Sequence, residues 1–475
     1  MHTQSDPCPL CVDMDGTLIK SDLLVESVFA LLKKNLFYAF LLPGWLLQGK
    51  ANLKQQIATR VDLDPALLPY HEELLDYLRH EKESGRRIIL ATATNAKFAQ
   101  QVAAHLGLFD GVLASSADVN LSGRRKLAAI QAQLEGQPFD YAGNDYHDLA
   151  VWRHSRRAIV VSASSAVRSR ADRVAEVVRF FNGGDSMAGH LRAMRPHQWA
   201  KNLLIFLPLL AAHEVSDTRL IIQAVGAFLA FSLCASSVYL LNDLLDLPLD
   251  RHHPRKRKRP YASGAASVLR GAMLMPVLLL AALGVSLLLP GEFLLVLVVY
   301  YATTLLYSLK LKNIVLVDVL LLAGLYTVRI IAGAAAVSIM PSFWLLAFGM
   351  FIFFSLAMVK RYSELQAVVR EGGESIRGRG YQSSDLEALI SFGGSSGYMA
   401  VLVLALYINS DAVREMYSHP EIIWLLCPLL LYWVSRMWLV TRRGEMHDDP
   451  LVYAIKDRIS RLVLLACVVI LAGAL

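Results

Sequence analysis

The feature that most constrains this chain is a series of long apolar segments that starts near residue 199 and continues to residue 475. Apolar segments of this length are typical of helices that cross a lipid bilayer. Before residue 185, charged residues are spread throughout, as in an ordinary soluble α/β protein. We therefore predict a soluble α/β domain followed by an all-α transmembrane bundle.

We predict nine spans, and the charges of their loops predict the orientation. Their approximate bounds are 201–213, 219–241, 267–289, 292–309, 314–337, 342–359, 394–409, 421–440 and 459–475. Nineteen Lys and Arg residues, Arg377 among them, lie in the loops after spans two, four, six and eight, whereas the opposite loops carry only Arg219 and Arg414. Because positive loops stay in the cytoplasm, we expect a bacterial-type inner (plasma) membrane protein with these loops and the N-terminal domain on the cytoplasmic side.

Two function classes receive no support from the composition. The net charge of +7 is concentrated beside the predicted spans, where it sets topology, so it does not indicate nucleic-acid binding. The five cysteines give no disulfide framework, and Cys8 and Cys11 form a single C-x-x-C without the second pair that a zinc site needs. The first residues show no signal peptide, which agrees with a cytoplasmic N-terminal domain.

An acidic cluster follows the second predicted span directly. Asp243, Asp246 and Asp250 come after Asn242 at helical spacings of three and four, which would place the carboxylates on one helix face. Clustered carboxylates repel one another unless a cation lies among them, and their oxygens suit Mg²⁺ bridging to a phosphate. The basic run from Arg251 to Arg259 follows at once. This order of acids and bases at a membrane edge predicts a diphosphate site, although the basic run alone is also explained as a topology signal.

The N-D-x-x-D-x-x-x-D pattern resembles the signature of the UbiA superfamily, and the resemblance covers about residues 190–475. The finer resemblance is to decaprenyl-phosphate phosphoribosyltransferases. It rests on the segments Arg195–Asn202 and Asn242–Pro260, and on Tyr307, Lys312, Asp318, Arg329, Gly333, Lys360, Arg361, Glu364, Asp448, Asp449, Asp457 and Arg458. Aromatic prenyltransferases of the superfamily carry a second D-x-x-x-D pair, whereas here Leu322 stands four positions after Asp318.

The resemblance implies a reaction and a set of residues for it. A polyprenyl phosphate would attack the anomeric carbon of 5-phosphoribosyl diphosphate, and diphosphate would leave. Mg²⁺ would be held by Asp243, Asp246 and Asp250. The remaining substrate-binding candidates are Lys201, Asn202, Asn242, Arg259, Tyr307, Lys312, Asp318 and Arg329. Lys201 and Lys312 are also explained as plain interface charges, whereas an arginine inside a span, such as Arg329, is costly and indicates a function.

A second motif lies near the start of the chain, where Leu10–Val12 is predicted to be a buried strand. It is followed by Asp13-Met14-Asp15-Gly16-Thr17, which resembles the first motif of haloacid dehalogenase phosphatases. The resemblance implies that Asp13 is the nucleophile and Asp15 the acid/base, that Thr92 binds phosphoryl oxygens, and that Lys126 neutralises charge. Mg²⁺ would be held by Asp13, Asp15, Asn144 and Asp148. The fold implied is a Rossmann-like parallel sheet with a small helical cap.

The fourth phosphatase motif departs from the family pattern. Asn144 stands where the pattern G-D-x-x-x-D has its first acid, unless Asp145 takes that place, and Asp148 supplies the second acid. An amide oxygen can bind Mg²⁺ but brings no charge. We interpret the domain as an active phosphatase, with a degenerate scaffold as the alternative.

The predicted domains are the phosphatase domain 1–180 with its cap at about 20–80, a flexible linker 181–194, and the transferase domain 195–475. Within the cap, residues 36–47 are apolar but too short to span a membrane. They are either the cap's own core or a segment that dips into the membrane interface beside Lys33, Lys34 and Lys50.

The two halves together suggest a bifunctional enzyme. The membrane domain would make a lipid-linked 5-phosphoribose, and the soluble domain would remove its 5-phosphate for cell-envelope glycan synthesis. Two alternatives remain open: a UbiA prenyltransferase that moves a polyprenyl group from its diphosphate to an aromatic or lipid acceptor, and a membrane scaffold that only binds phosphorylated ligands.

Overall fold

The computed structural model describes residues 8–183, 185–376, 379–446 and 449–474. Arg377 and Asp448, which entered the sequence analysis, lie outside the described residues, as does the side chain of Arg414. The chain forms two compact units. The first unit consists of Met1–Met194 and Tyr239–Pro276, and the second of Arg195–Val238 and Val277–Leu475. All five cysteines are free, which agrees with the predicted lack of a disulfide framework.

A six-stranded parallel sheet organises the first unit. Its strands are β1 (Leu10–Val12), β2 (Ile88–Asn95), β3 (Gly111–Ser115), β4 (Asp140–Gly143), β5 (Ala158–Val161) and β6 (Val177–Phe181). Their order is β3-β2-β1-β4-β5-β6, and every pairing is parallel. The predicted Rossmann-like fold is therefore confirmed. Since β1 lies between β2 and β4, Asp13 is at the carboxyl end of a central strand, where ligands bind in sheets of this kind.

In the described residues of this part, nine α-helices surround or extend the sheet. They are α1 (Leu23–Lys34), α2 (Tyr38–Leu47), α3 (Lys50–Ala58), α4 (Glu72–Glu83), α5 (Ala96–Leu106), α6 (Arg124–Gln133), α7 (Leu149–Trp152), α8 (Ser165–Val174) and α9 (Met187–Ala193). We use the word cap for the helices α1, α2 and α3. Helix α4, at the end of the predicted range 20–80, has Leu74, Leu75 and Leu78 in the core cluster of the sheet, which Leu23 of α1 and Ala58 of α3 also join.

The predicted flexible linker is instead ordered around α9. Ser186 caps this helix by accepting a hydrogen bond from the Gly189 amide. A Cβ on Gly189 would lie 2.9 Å from the carbonyl oxygen of Ala265, so the small residue allows close packing against residues 265–266. The small residues that suggested flexibility thus serve a tight contact.

Apart from the few residues that the structure does not describe, the membrane part contains twelve α-helices. They are α10 (Leu207–Ala211), α11 (Thr218–Leu245), α12 (Leu247–His252), α13 (Val268–Ser286), α14 (Gly291–Leu309), α15 (Val317–Ala336), α16 (Phe343–Arg370), α17 (Leu386–Ile408), α18 (Asp411–Met416), α19 (Leu426–Arg443), α20 (Pro450–Lys456) and α21 (Arg458–Ala474). Of these, α12 and parts of α11 and α13 belong to the first unit.

Seven helices of the described chain are long and apolar enough to cross a membrane, and they coincide with predicted spans two to eight. The first predicted span is instead a 3₁₀ helix, Pro196–Phe206, followed by α10. Pro196 and Pro208 lack the backbone N–H that a continuous α-helix needs. The ninth predicted span is α21, a helix of 17 residues. The membrane bundle is confirmed, and the count of nine full spans is only approximate.

Candidate active sites

The phosphatase-like site of the first unit is centred on Asp13 and Lys126. Lys126, in the first turn of α6, places Nζ 2.8 Å from Asp13 Oδ1, 2.9 Å from the Tyr141 hydroxyl and 3.4 Å from Asp148 Oδ1. All four side chains are buried. Burial lowers the pKa of Lys126, but Asp13 and Asp148 outweigh it and raise that pKa above its usual range. Lys126 therefore stays charged beside the predicted nucleophile, in the role that the sequence assigned to it.

Asp15 lies on the opposite side of this group. Its carboxylate accepts hydrogen bonds from the Leu23 amide, at 2.9 Å, and from the Thr94 hydroxyl. Burial raises the pKa of Asp15 to about 7, and it raises the pKa of Asp13 to about 6 against the opposing charge of Lys126. A carboxyl group that titrates near neutral pH can donate and accept a proton under working conditions, as an acid/base must.

The hydroxyl that faces this site is Thr94 rather than the predicted Thr92. Both belong to β2, but Thr92 is fully buried and its Oγ1 accepts a hydrogen bond from the Thr94 amide. Thr94 lines the cavity in front of Asp13. Alternation along the strand puts both on the same side, so the sequence pattern could not separate them.

Motif IV is arranged around Asp148. Its Oδ2 accepts the amides of Asn144 and Asp145, at 2.9 and 3.0 Å, and its Oδ1 accepts the Tyr141 hydroxyl at 2.7 Å. Asp148 is thereby fully engaged and positions Lys126. Asn144 packs directly against Gly16 of motif I, whereas Asp145 is exposed and caps a short 3₁₀ helix. Asn144 thus occupies the position of the first acid.

The donor set of this site fits Mg²⁺ in chemistry, since Asp13 offers carboxylate oxygen and Asn144 an amide oxygen beside motif I. Asp148 supports these residues by accepting the backbone amide of Asn144 and by pairing with Lys126. A cavity of about 440 Å³ lies in front of them. Its wall also includes Lys54 of α3, and Ser267, Leu269 and Arg270 at the start of α13.

The acidic cluster also lies in the first unit, and it is divided. Arg259 Nη1 is 3.1 Å from Asp243 Oδ1 and 2.7 Å from Asp250 Oδ2. Asp246 instead contacts Lys33 of the cap, with Nζ 2.7 Å from Oδ1. The three aspartates do not lie along one continuous helix, because α11 ends at Leu245 and Pro248 has no N–H to continue its backbone hydrogen bonds.

Within the part of the chain that the structure describes, no group of three or more His, Cys, Asp or Glu side chains is arranged to hold a metal ion. Asp243 and Asp250 are nevertheless both buried and converge on a single guanidinium nitrogen. Two buried carboxylates that share one cation fit the charge requirement of Mg²⁺. Arg259 therefore neutralises the acids that were predicted to bind the metal, besides its predicted contact with substrate.

A second cationic group joins the cap to the segment after α11. Arg251 forms a two-pronged ion pair with Glu26 of α1, with Nη1 2.8 Å from Oε2 and Nη2 2.5 Å from Oε1, and its Nε donates to the carbonyl of Ala262. Both side chains are buried. Arg251, which belongs to the basic run predicted for a diphosphate site, is thus the buried partner of Glu26, a residue with no predicted role.

The second unit contains a polar group within its helical bundle. Asp449 Oδ2 lies 2.7 Å from Lys201 Nζ and 3.4 Å from Lys360 Nζ, and the Tyr326 hydroxyl approaches the same carboxylate at 3.2 Å. Two ammonium groups share one carboxylate, so this site has excess positive charge. Such a site favours an anion.

Arg329 and Asn202 lie in the same unit. Arg329 Nε donates to Asn202 Oδ1 at 2.8 Å, and its guanidinium lies 5.3 Å from the ring centres of Phe231 and Tyr300. The 3₁₀ helix that carries Asn202 can approach α15 because Gly333 has no side chain: a Cβ there would lie 2.0 Å from the carbonyl oxygen of Ile205. The structure therefore brings Lys201, Asn202 and Arg329 onto neighbouring elements.

Asp318 and Tyr307 form a third group. Asp318 is fully buried, with Oδ2 2.6 Å from Arg361 Nη2 and Oδ1 2.6 Å from the Tyr381 hydroxyl. The Tyr307 hydroxyl accepts a hydrogen bond from Arg379 at 3.1 Å. Lys312 is half-buried in the 3₁₀ turn Leu311–Asn313. In this arrangement Asp318 is the counter-ion of Arg361.

Comparison with known families settles the class of both parts. The model of the UbiA prenyltransferase family matches residues 203–454, which is more than half of the chain. The chain belongs to the UbiA prenyltransferase family. The model of haloacid dehalogenase-like hydrolases matches residues 10–153, where the parallel sheet lies. The protein is thus a multi-pass membrane enzyme that joins a UbiA transferase to a haloacid dehalogenase-like hydrolase domain.

Two relatives of this UbiA protein differ in how much of its chain they match. An uncharacterised protein of Sinorhizobium fredii, y4nM, is 36% identical and covers 95% of this chain and 88% of its own length. A decaprenyl-phosphate phosphoribosyltransferase of Mycobacterium tuberculosis is 32% identical over 299 residues, which is 61% of this chain and 94% of that protein.

Among solved structures, this chain is similar to a UbiA homologue from Archaeoglobus fulgidus bound to GPP and Mg²⁺. It is 15% identical, with a TM-score of 0.45, and covers 60% of this chain and 99% of that one.

Several residues of this UbiA protein's sites were not found from the sequence. Thr94, Lys54 and Tyr141 line or support the phosphatase-like cavity. Lys360 was named only for the family resemblance, and its contact with Asp449 beside Lys201 was not predicted. Tyr141 could have been found, because it stands directly before motif IV in the strand Asp140–Gly143. Lys54 carried no signal, since it is one lysine among several in the cap.

Proposed function

We propose that the membrane part transfers 5-phosphoribose from 5-phosphoribosyl diphosphate to a polyprenyl phosphate. The observation that carries this proposal is the similarity to a decaprenyl-phosphate phosphoribosyltransferase along 94% of that protein. The absence of a second D-x-x-x-D pair supports it, since Leu322 is apolar and Asp318 is neutralised by Arg361.

The proposed step exchanges two C–O bonds. An oxygen of the polyprenyl phosphate forms a bond to the anomeric carbon of the ribose, and the bond from that carbon to the diphosphate breaks. Asp243 and Asp250, which share Arg259, are the side chains that would hold Mg²⁺, and Asp246 would join them once its pair with Lys33 opens. The ion, when bound, would supply the charge that stabilises the leaving diphosphate. The attacking phosphate is already an anion, so no strong base is required.

Lys201, Lys360 and Arg329 are the groups that we assign to anion binding within the bundle. Among the described residues, Lys201 and Lys360 both form their ion pair with Asp449, and Arg329 has no carboxylate partner. Cations inside an apolar bundle are costly unless they meet opposite charge, and a substrate phosphate supplies it. Asn202 fixes the direction of the Arg329 guanidinium.

We propose that the N-terminal domain then removes the 5-phosphate. Asp13 attacks the phosphorus atom and forms an aspartyl phosphate, while Asp15 gives its proton to the departing ribose oxygen. Asp15 next takes a proton from the water that hydrolyses the aspartyl phosphate. Lys126 stabilises the negative charge of the transferring phosphoryl group. The product is a polyprenyl-phosphoryl ribose, a pentose donor suited to cell-envelope glycan synthesis.

We place both activities on the cytoplasmic side of a bacterial-type plasma membrane. The distribution of positive charge among the loops supports this orientation.

The test uses the full chain in proteoliposomes with Mg²⁺, decaprenyl phosphate and radiolabelled phosphoribosyl diphosphate. The wild-type protein should form a labelled lipid without 5-phosphate. Asp13→Asn should accumulate the phosphorylated lipid, and Asp243→Asn should form none. If the wild type labels no lipid, the phosphoribosyl transfer is refuted, and prenyl diphosphates with aromatic acceptors are the next substrates to try.

A further inference from the structure

The cap helix α2 has an apolar surface that the protein leaves uncovered. None of its ten residues is charged and none is fully buried. Tyr38, Leu42 and Trp45 pack on Leu31 and Ile57 of the neighbouring cap helices. The opposite surface carries the most exposed aromatic and aliphatic side chains of the cap. Phe37 is 74%, Phe40 80% and Leu47 90% exposed.

The position of α2 along the chain identifies what covers this surface. Lys33, in the last turn of α1, bonds to Asp246, the residue after the end of the membrane-spanning helix α11. Phe37 lies four residues after Lys33, and four residues of fully extended chain span at most about 14 Å. The exposed surface of α2 therefore begins close to the point where a membrane span ends.

We propose that α2 is embedded in the membrane interface, with Phe37, Phe40 and Leu47 among the lipid chains. Ten helical residues extend about 15 Å, roughly half the hydrocarbon thickness, so the helix lies in the interface and does not span it. Lys33 and Lys34 are not headgroup ligands in this arrangement, because Lys33 pairs with Asp246 and Lys34 donates to the carbonyl of Arg60. Apolar contact is what holds α2 in the membrane.

The same cap forms part of the phosphatase-like cavity. α3, which packs on α2, contributes Lys54 to the cavity wall, and Lys54 is fixed by the Ala93 carbonyl and Asn120. Ser267 and Arg270, at the start of the span α13, line the cavity as well. Two independent segments next to membrane spans thus border the cavity, so its substrate is a phosphomonoester carried on a membrane lipid. This substrate class rests on the proposed phosphatase function, whereas the embedding of α2 does not.

The embedding is tested by lipid quenching of a fluorophore. Phe40→Cys, in a background with Cys8 and Cys467 replaced by serine, is labelled with bimane in nanodiscs that contain doxyl-labelled lipids. Strong quenching is expected at position 40, and none in the matched control Gln133→Cys on α6, which is also exposed. Equal, weak quenching at both positions would overturn the proposal, including the case in which a second copy of the chain covers α2.

The substrate class is tested by comparing two phosphomonoesters. The double variant Phe40→Ser/Leu47→Ser should raise the KM for decaprenyl-phosphoryl 5-phosphoribose in liposomes by about tenfold. Its hydrolysis of soluble p-nitrophenyl phosphate should be unchanged, which shows that the domain remains folded. Phe40→Leu/Leu47→Phe should behave as wild type. An unchanged KM for the lipid would refute the lipid substrate, and failure of the wild type to hydrolyse either compound would refute the phosphatase function while leaving the quenching result intact.

Discussion

Single side chains determine how the phosphatase-like site is tuned, and Asn144 is the most informative of them. It packs against motif I at the place where the pattern G-D-x-x-x-D has its first acid, and its amide brings oxygen without charge. Its neighbour Asp145 carries a charge but faces the solvent. Because Asn144 is uncharged where a carboxylate would be charged, the site should bind Mg²⁺ more weakly but should still bind it.

Asn144→Asp should therefore lower the Mg²⁺ concentration for half-maximal hydrolysis of p-nitrophenyl phosphate, by about tenfold, because a second carboxylate joins Asp13. Titration of activity with Mg²⁺ measures this change. Asp145→Asn is the control and should leave the titration unchanged. If Asn144→Asp leaves the Mg²⁺ requirement unchanged, residue 144 has no part in metal binding.

At this scale the sequence predicted residue types better than their partners. Asp13, Asp15 and Lys126 are found together as expected, because motifs I, III and IV end neighbouring strands or begin the next helix. The pairing of Lys33 with Asp246 was not predictable, since 213 residues separate them and Asp246 was expected to bind a metal ion rather than a lysine. Contacts of that kind depend on tertiary packing alone.

Among the elements, α15 joins two of the polar groups of the second unit. It carries Arg329 and Gly333 towards the 3₁₀ helix, and Asp318 towards α16. Both contacts depend on the exact separation of neighbouring helices. Two variants of this helix test that dependence.

Gly333→Ala should abolish most transferase activity, since the new Cβ would lie 2.0 Å from the Ile205 carbonyl oxygen and would push away the helix that carries Lys201 and Asn202. We expect a loss of stability of about 1–3 kcal/mol as well. Gly324→Ala, on the same helix, meets no atom within 4 Å and should retain activity. Formation of the labelled lipid measures both variants, and equal activity would contradict a role for the close approach.

The Asp318–Arg361 pair gives the second test of α15. Arg361→Met alone should destabilise the protein by about 3–5 kcal/mol, because the buried Asp318 carboxylate loses its nearest cation and keeps the more distant Arg379, 3.7 Å away. Asp318→Asn/Arg361→Met should recover most of this loss and should keep transferase activity if the pair is structural. Thermal unfolding in detergent and the lipid-labelling assay give the two readouts. An inactive but stable double variant would instead assign Asp318 to the substrate, as the resemblance implied.

The positions where the helices begin and end show why the sequence predicted more full membrane spans than the seven of the described chain. Apolar composition identified spans two to eight, whose helices are long and uninterrupted. It also suggested a first span at 201–213, where proline and a close approach to Gly333 favour a 3₁₀ helix. Hydrophobicity reports burial, and burial in protein and burial in lipid look alike in a sequence.

For the molecule as a whole, the Glu26–Arg251 pair joins segments that the sequence assigned to different domains. Glu26→Ala should destabilise the first unit by about 3–5 kcal/mol, because Arg251 would be left buried without its partner. Loss of p-nitrophenyl phosphatase activity with temperature measures this effect. Arg79→Ala, which breaks the exposed pair with Asp76, should change stability by less than about 1 kcal/mol. Equal effects of the two changes would show that the buried pair contributes nothing.

The composition of the first unit also has a consequence for biogenesis. Its segment Tyr239–Pro276 follows the sheet only after residues 195–238, so a nascent chain that has reached Met194 still lacks Arg251 and the cavity wall around Ser267 and Arg270. Domains usually fold during synthesis as soon as their own residues have emerged. The part of the cavity wall that the later segment supplies is therefore completed only after α11 has been synthesised. A chain that stops before Tyr239 retains the strands of the sheet but lacks Arg251 and the wall around Ser267 and Arg270.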